Sequence, residues 1–188
     1  MLRVTWEWLG QGPALDLADT VTIVDGEEHD LLAPEGEYAR WARLEAELLP
    51  EGSFAVLCKG RRELMDLRAV VREVLGTVAA GERPPRRLLA ELNRVSRGAP
   101  EWLEIDPAEA ALRPVTTAGG LERVLARYAR SAMELVADES ERLRRCPAPS
   151  CGMFYLSTRP SQRWCSTQCG TRARVARHYA GRRRKTAP

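Results

Sequence analysis

The last quarter of the chain carries four cysteines spaced Cys146-x4-Cys151-x13-Cys165-x3-Cys169. Two close pairs separated by a short segment can bring four thiolates onto one tetrahedral Zn2+. A segment this small has too little apolar surface to fold alone, so its metal holds it together. Disulfide pairing is the competing use of such cysteines. It belongs to oxidising compartments, and the opening Met1-Leu2-Arg3-Val4-Thr5-Trp6 lacks the apolar stretch of a secretion signal. Catalytic zinc keeps one position open for water, whereas four cysteines close the shell. The two histidines, His29 and His178, sit in no HExxH pattern, and the His-x-Glu…Pro-Cys-x-x-Cys arrangement of deaminases is missing. The expectation is one structural Zn2+ per chain on Cys146, Cys151, Cys165 and Cys169, in a protein that is not an enzyme.

Charge is distributed unevenly around that site. From Cys146 to Pro188 there is no Asp or Glu, and there are nine basic residues: Arg159, Arg163, Arg172, Arg174, Arg177, Arg182, Arg183, Arg184 and Lys185. Residues 1–145 hold the remaining twenty basic residues against all twenty-six acidic ones, so a net charge of +3 conceals an acidic body and a basic C-terminal device. A zinc-pinned scaffold with an all-positive surface is most simply a nucleic-acid-binding module. The nine basic residues are the candidate DNA contacts. A solvated basic tail is the alternative for Arg182–Lys185, and Arg172, three residues after Cys169, can instead brace the zinc site.

In the body, helical periodicity runs through Pro34–Leu49 (Tyr38, Trp41, Leu44, Leu48), Arg61–Ala80 (Leu64, Leu67, Val71, Leu75, Val78, stopped by Gly81) and Pro84–Arg97 (Leu88, Leu89, Leu92, Val95). A longest helix, Leu121–Leu143, is expected to deliver the chain directly to Arg144-Arg145-Cys146, giving a rigid joint. Asp25-Gly26 between Val21–Val24 and His29–Leu32 predicts a hairpin, and Glu101–Ile105 with Ala111–Thr116 a second. Cys58 reads as a buried structural thiol, and Trp6, Trp8, Trp41 and Trp102 as mostly core. No apolar run approaches the ~20 residues of a membrane helix, so a cytoplasmic protein is expected.

Within the basic segment, Cys146–Gly152 reads as a zinc knuckle, with Gly152 turning the chain in a left-handed conformation. Met153–Leu156 and Gln162–Cys165 would pair as a hairpin across Ser157–Ser161. Phe154, Tyr155 and Trp164 form a small apolar core, and Ser166 caps a last helix. The fold class is α+β: a mainly helical N-terminal domain with short β-hairpins (1–143), then a small treble-clef-like zinc finger with four cysteine ligands (144–188).

The motif Cys146…Cys151-Gly152, Phe154, Trp164-Cys165-Ser166-Thr167-Gln168-Cys169-Gly170-Thr171-Arg172 resembles the CGNR-type zinc finger, with Thr171 where that family has Asn. Ala14-Leu15-Asp16-Leu17-Ala18-Asp19-Thr20 resembles the opening of its usual companion, the ABATE domain, with Asp19 in place of Asn; Leu67-Arg68 and Glu91-Leu92-Asn93 agree. The resemblance implies a stress-induced bacterial transcription regulator. Its finger would contact DNA, and its body would sense a small-molecule effector or form a homodimer. Shared positions imply a ligand pocket at Asp16, Asp19, Trp41 and Arg68, residues equally readable as turn, cap and core. The alternative is a protein- or RNA-binding zinc-finger adaptor without sequence-specific DNA binding.

Overall fold

The computed structural model describes residues 10–24, 26–49 and 52–186, and side chains of the last helix through Ala180. Trp6, Trp8 and Asp25 lie outside the described residues, as do the side chains of Arg182–Lys185.

Among the described residues the first element is α1 (Pro13–Ala18), whose first residue is a proline. A proline is favourable there because its missing N–H would have no helical partner. The expected hairpin follows as β1 (Val21–Val24) and β2 (Glu27–Asp30), antiparallel with Val21 opposite Asp30, its return strand two residues earlier than the expected His29–Leu32. Then come α2 (Glu37–Ala46), α3 (Ser53–Lys59), α4 (Arg61–Ala79) and α5 (Arg86–Arg97). The second hairpin is β3 (Trp102–Ile105) with β4 (Leu112–Val115), and α6 (Gly120–Asp138) crosses back over the core. Strands β5 (Leu143–Arg145) and β6 (Phe154–Leu156) pair antiparallel, and α7 (Thr167–Thr186) completes the described chain.

Helix α4 is the spine. Its predicted stripe of Leu64, Leu67, Val71, Leu75 and Val78 is buried, and it packs between α1, α5 and α6. Leu15, Leu17, Trp41, Leu57, Leu92 and Tyr128 fill the same core. At the α3–α4 joint, a Cβ on Gly60 would lie 2.2 Å from Leu121 Cδ1, so a larger residue there would displace the Leu121 side chain of α6.

Several expectations need correction. Helix α2 is shorter than Pro34–Leu49, and its inward face is Tyr38, Trp41, Ala42 and Glu45 while Leu48 is 44% exposed. Glu45 is buried because it accepts a hydrogen bond from Tyr128 Oη (2.9 Å), which offsets part of its desolvation. Burial, with the Glu45 charge beside it, pushes the Tyr128 phenol well above its usual range. Cys58 is exposed: it follows inward-facing Leu57 on α3, and one residue further along a helix lies ~100° around it. Trp102 is 44% exposed on β3. The helix expected to reach Leu143 ends at Asp138, because Leu143–Arg145 leaves it to pair with Phe154–Leu156. That pairing also replaces the hairpin expected between Met153–Leu156 and Gln162–Cys165; the strands flank the knuckle instead of following it.

Candidate metal centre and basic helix

Strands β5 and β6 hold the knuckle between them, and the Cys146 N–H donates to the Met153 carbonyl (2.8 Å). Gly152, at φ +80°, turns the chain as expected. That positive φ favours glycine, and a Cβ there would also displace the Ile23 side chain, which stands 2.9 Å away. Ser166 Oγ accepts the Cys169 N–H (3.2 Å) and starts α7. Cys165 thus precedes the helix and Cys169 sits in its first turn, where the helix dipole favours thiolate.

The four Sγ atoms lie within 4.8 Å of one another. The separations Cys151–Cys165 (3.7 Å), Cys165–Cys169 (3.5 Å) and Cys169–Cys151 (3.6 Å) match one face of a tetrahedron. Zn–S bonds of about 2.3 Å place sulfurs about 3.8 Å apart. Without a cation four thiolates this close cannot coexist. Hydrogen bonds from the Cys151 and Cys165 thiols draw Cys146 down to about 2, while the same contacts push Cys151 up to about 12 and Cys165 higher still. A divalent cation with borderline-soft character ionises such a set. The donors, their closure and their geometry fit one structural Zn2+.

Arg172 completes the site. Its Nη2 donates to Cys169 Sγ (3.1 Å) and its Nη1 to the Ser150 carbonyl (3.0 Å), tying the helix-borne pair of ligands to the knuckle. Tyr155 and Trp164 pack on the cysteines. Phe154 does not: β6 alternates, sending Tyr155 to the zinc side and Phe154, 1% exposed, into the body's core.

The body grips the knuckle with hydrogen bonds that sequence reasoning missed. The Ile23 N–H (2.9 Å) and Thr22 Oγ1 (2.8 Å) both donate to the carbonyl of ligand Cys151. Asp19 Oδ1 accepts the Phe154 N–H (2.7 Å). Burial raises the Asp19 carboxyl well above its ordinary range, and the Phe154 amide opposes that shift. Its signal in the sequence was the departure from the family's Asn. Asp16 caps its own loop, accepting the Gln11 (3.1 Å) and Gly12 (3.0 Å) amides. Arg68 is bidentate to Asp30 and also donates to Thr20 Oγ1 (2.9 Å). Trp41 is fully buried core. Of the four residues proposed for a pocket, only Arg68 lines the groove of about 600 Å3 beside the first hairpin.

The candidate basic contacts whose side chains are described, Arg159, Arg163, Arg172, Arg174 and Arg177, are exposed. Arg159 is exposed in the turn after β6, and Arg163 lies over the Trp164 ring (5.5 Å). Arg174 and Arg177 are exposed on α7; Arg174 donates to Thr171 Oγ1 (2.9 Å), the position where the family has Asn, and Arg177 to the Ala173 carbonyl (3.3 Å). Arg142 and Arg144, just ahead of the first ligand, share a shallow groove with Arg159 and were not among the expected contacts.

Residues 11–139 match the ABATE family, described as "Putative stress-induced transcription regulator", and residues 142–183 match the CGNR zinc finger. The chain belongs to the ABATE family. Both matches are to regulatory or zinc-finger families, not to enzyme families. No curated protein matches the chain. No described helix is long and apolar enough to cross a membrane.

Proposed function

We propose that this ABATE protein is a zinc-dependent, DNA-binding bacterial transcription regulator of the cytoplasm that acts by binding and not by catalysis. The observation that carries the reading is α7: a zinc-anchored helix without a carboxylate, presenting Arg174 and Arg177 on one exposed face. Such a helix fits the major groove in width, and its guanidinium groups neutralise phosphates and release counterions. Arg159 and Arg163 are exposed basic residues of the same finger and the sequence adds Arg182–Lys185, while Arg172 is occupied with Cys169 and the knuckle. The acidic body supplies the input, through a small effector or a second copy of the chain.

The test is selection of bound duplexes from random-sequence DNA with and without a zinc chelator. Enrichment of a short motif that disappears on chelation supports the reading; recovery no different from an acidic control protein overturns it. Val175 and Tyr179, exposed among the arginines of α7, favour a second reading, a zinc-finger adaptor that docks protein or RNA. That reading gains if single-stranded RNA or a partner protein is retained where duplex DNA is not.

A further inference from the structure

Beside the first hairpin, α4, β1–β2 and the strand entering the finger enclose an open groove of about 600 Å3, within the range of small-molecule sites. Three guanidinium groups line it: Arg68, Arg72 and Arg145. Arg68 is engaged by Asp30. Arg72 and Arg145 both turn to one carboxylate, Glu28, at 2.7 and 3.6 Å. Glu28 is itself 60% exposed on the outer strand of a two-stranded hairpin. The other acidic residues of the rim are Glu73, paired with Arg87, and Glu82. The floor is apolar, with Val21, Met65 and Phe154.

Gly76 is the second observation. It lies inside α4, where glycine is less favourable than alanine. Its backbone has no need of glycine, because a Cβ there would meet Phe154 at an ordinary 4.0 Å. Glycine at this position keeps the groove floor low without serving the packing beneath it.

We infer that this groove binds a small carboxylic acid with an apolar body. Its carboxylate displaces Glu28 from Arg72 and Arg145, and its apolar part lies over Gly76 and Phe154. Guanidinium pairs take carboxylates bidentately, and replacing one carboxylate by another leaves no buried charge unpaired. The site joins the two halves: Arg72 holds the Ala18 (2.6 Å) and Val21 (3.2 Å) carbonyls of the body, and Arg145 holds the Gly152 carbonyl (3.2 Å) of the knuckle. The inference deepens the reading of the body as an input module, and its test is independent of DNA.

The experiment is thermal unfolding and calorimetric titration of the zinc-loaded full chain with hexanoate, hexanol and inorganic phosphate. Hexanoate raises Tm in a concentration-dependent way, while hexanol and phosphate do not. Gly76→Leu, which fills the groove and favours helix, and Arg145→Gln each weaken hexanoate at least about 10-fold, as loss of fit or of one charged contact does. Glu28→Gln strengthens it several-fold, because the competing carboxylate is gone; a purely structural Glu28 would not do so. The inference is overturned if hexanoate gives no saturable heat or shift, or if phosphate alone binds. It is equally overturned if Gly76→Leu and Glu28→Gln leave hexanoate affinity unchanged.

Discussion

Asp19 keeps 9% of its surface exposed, and its Oδ1 holds the amide of Phe154, a residue 135 positions later. Below the unfolded carboxyl pKa, near ~4, the group is neutral in both states and its contribution is intact. Above it the unfolded chain ionises freely, whereas the folded chain must ionise against burial, so stability falls as pH rises toward the raised folded value. Asn keeps the acceptor oxygen and removes the titration. Asp19→Asn is therefore expected to raise Tm by roughly 2–5 °C at pH 8, with the gain shrinking toward pH 4. Melting curves across that range check it, and an Asn variant less stable at every pH would contradict it. Arg172 makes a separable claim. Its contacts to Cys169 Sγ and the Ser150 carbonyl brace the site, so Arg172→Ala weakens zinc about 10–100-fold in chelator competition, while Arg174→Ala does not.

At the scale of elements, periodicity made the long helices legible. The inward residues of α4, and Leu88, Leu92 and Val95 of α5, stand where the sequence places them, because a helix buried along one face must repeat its apolar positions; Leu89 of α5 stays outside the core. Both body hairpins were legible from their turn residues. The short strands β5 and β6 were not. Three residues carry too little pattern, and Arg144-Arg145 reads as helix end until Phe154–Leu156 appears beside it. Periodicity also assigned Leu48 inward, whereas Glu45 takes that place through a partner on α6 eighty-three residues away. The metal ligands were fully legible, since spacing alone specifies them. The groove over Gly76 was hidden because α4, β2 and β5 meet only in three dimensions. Its one local sign, a glycine inside a helix, reads as a minor propensity cost.

For the whole molecule, the proposed division at residues 143 and 144 falls inside β5, and the seam is continuous. Phe154 belongs to the body's core, Thr22 and Ile23 hold the carbonyl of Cys151, and Asp19 holds β6. The charges are sorted along the sequence where the packing is not: the acidic body and the basic finger share core contacts. Arg145, which lines the groove, directly precedes the first zinc ligand, Cys146. The most direct test of that account is the salt dependence of duplex DNA binding by the zinc-loaded full chain and by Arg174→Ala/Arg177→Ala. Log K should fall linearly with log salt. The double variant should bind every duplex more weakly, with a slope reduced by about one to two, as lost phosphate contacts require. Unchanged affinity and slope in the double variant would contradict α7 as the DNA-contacting element.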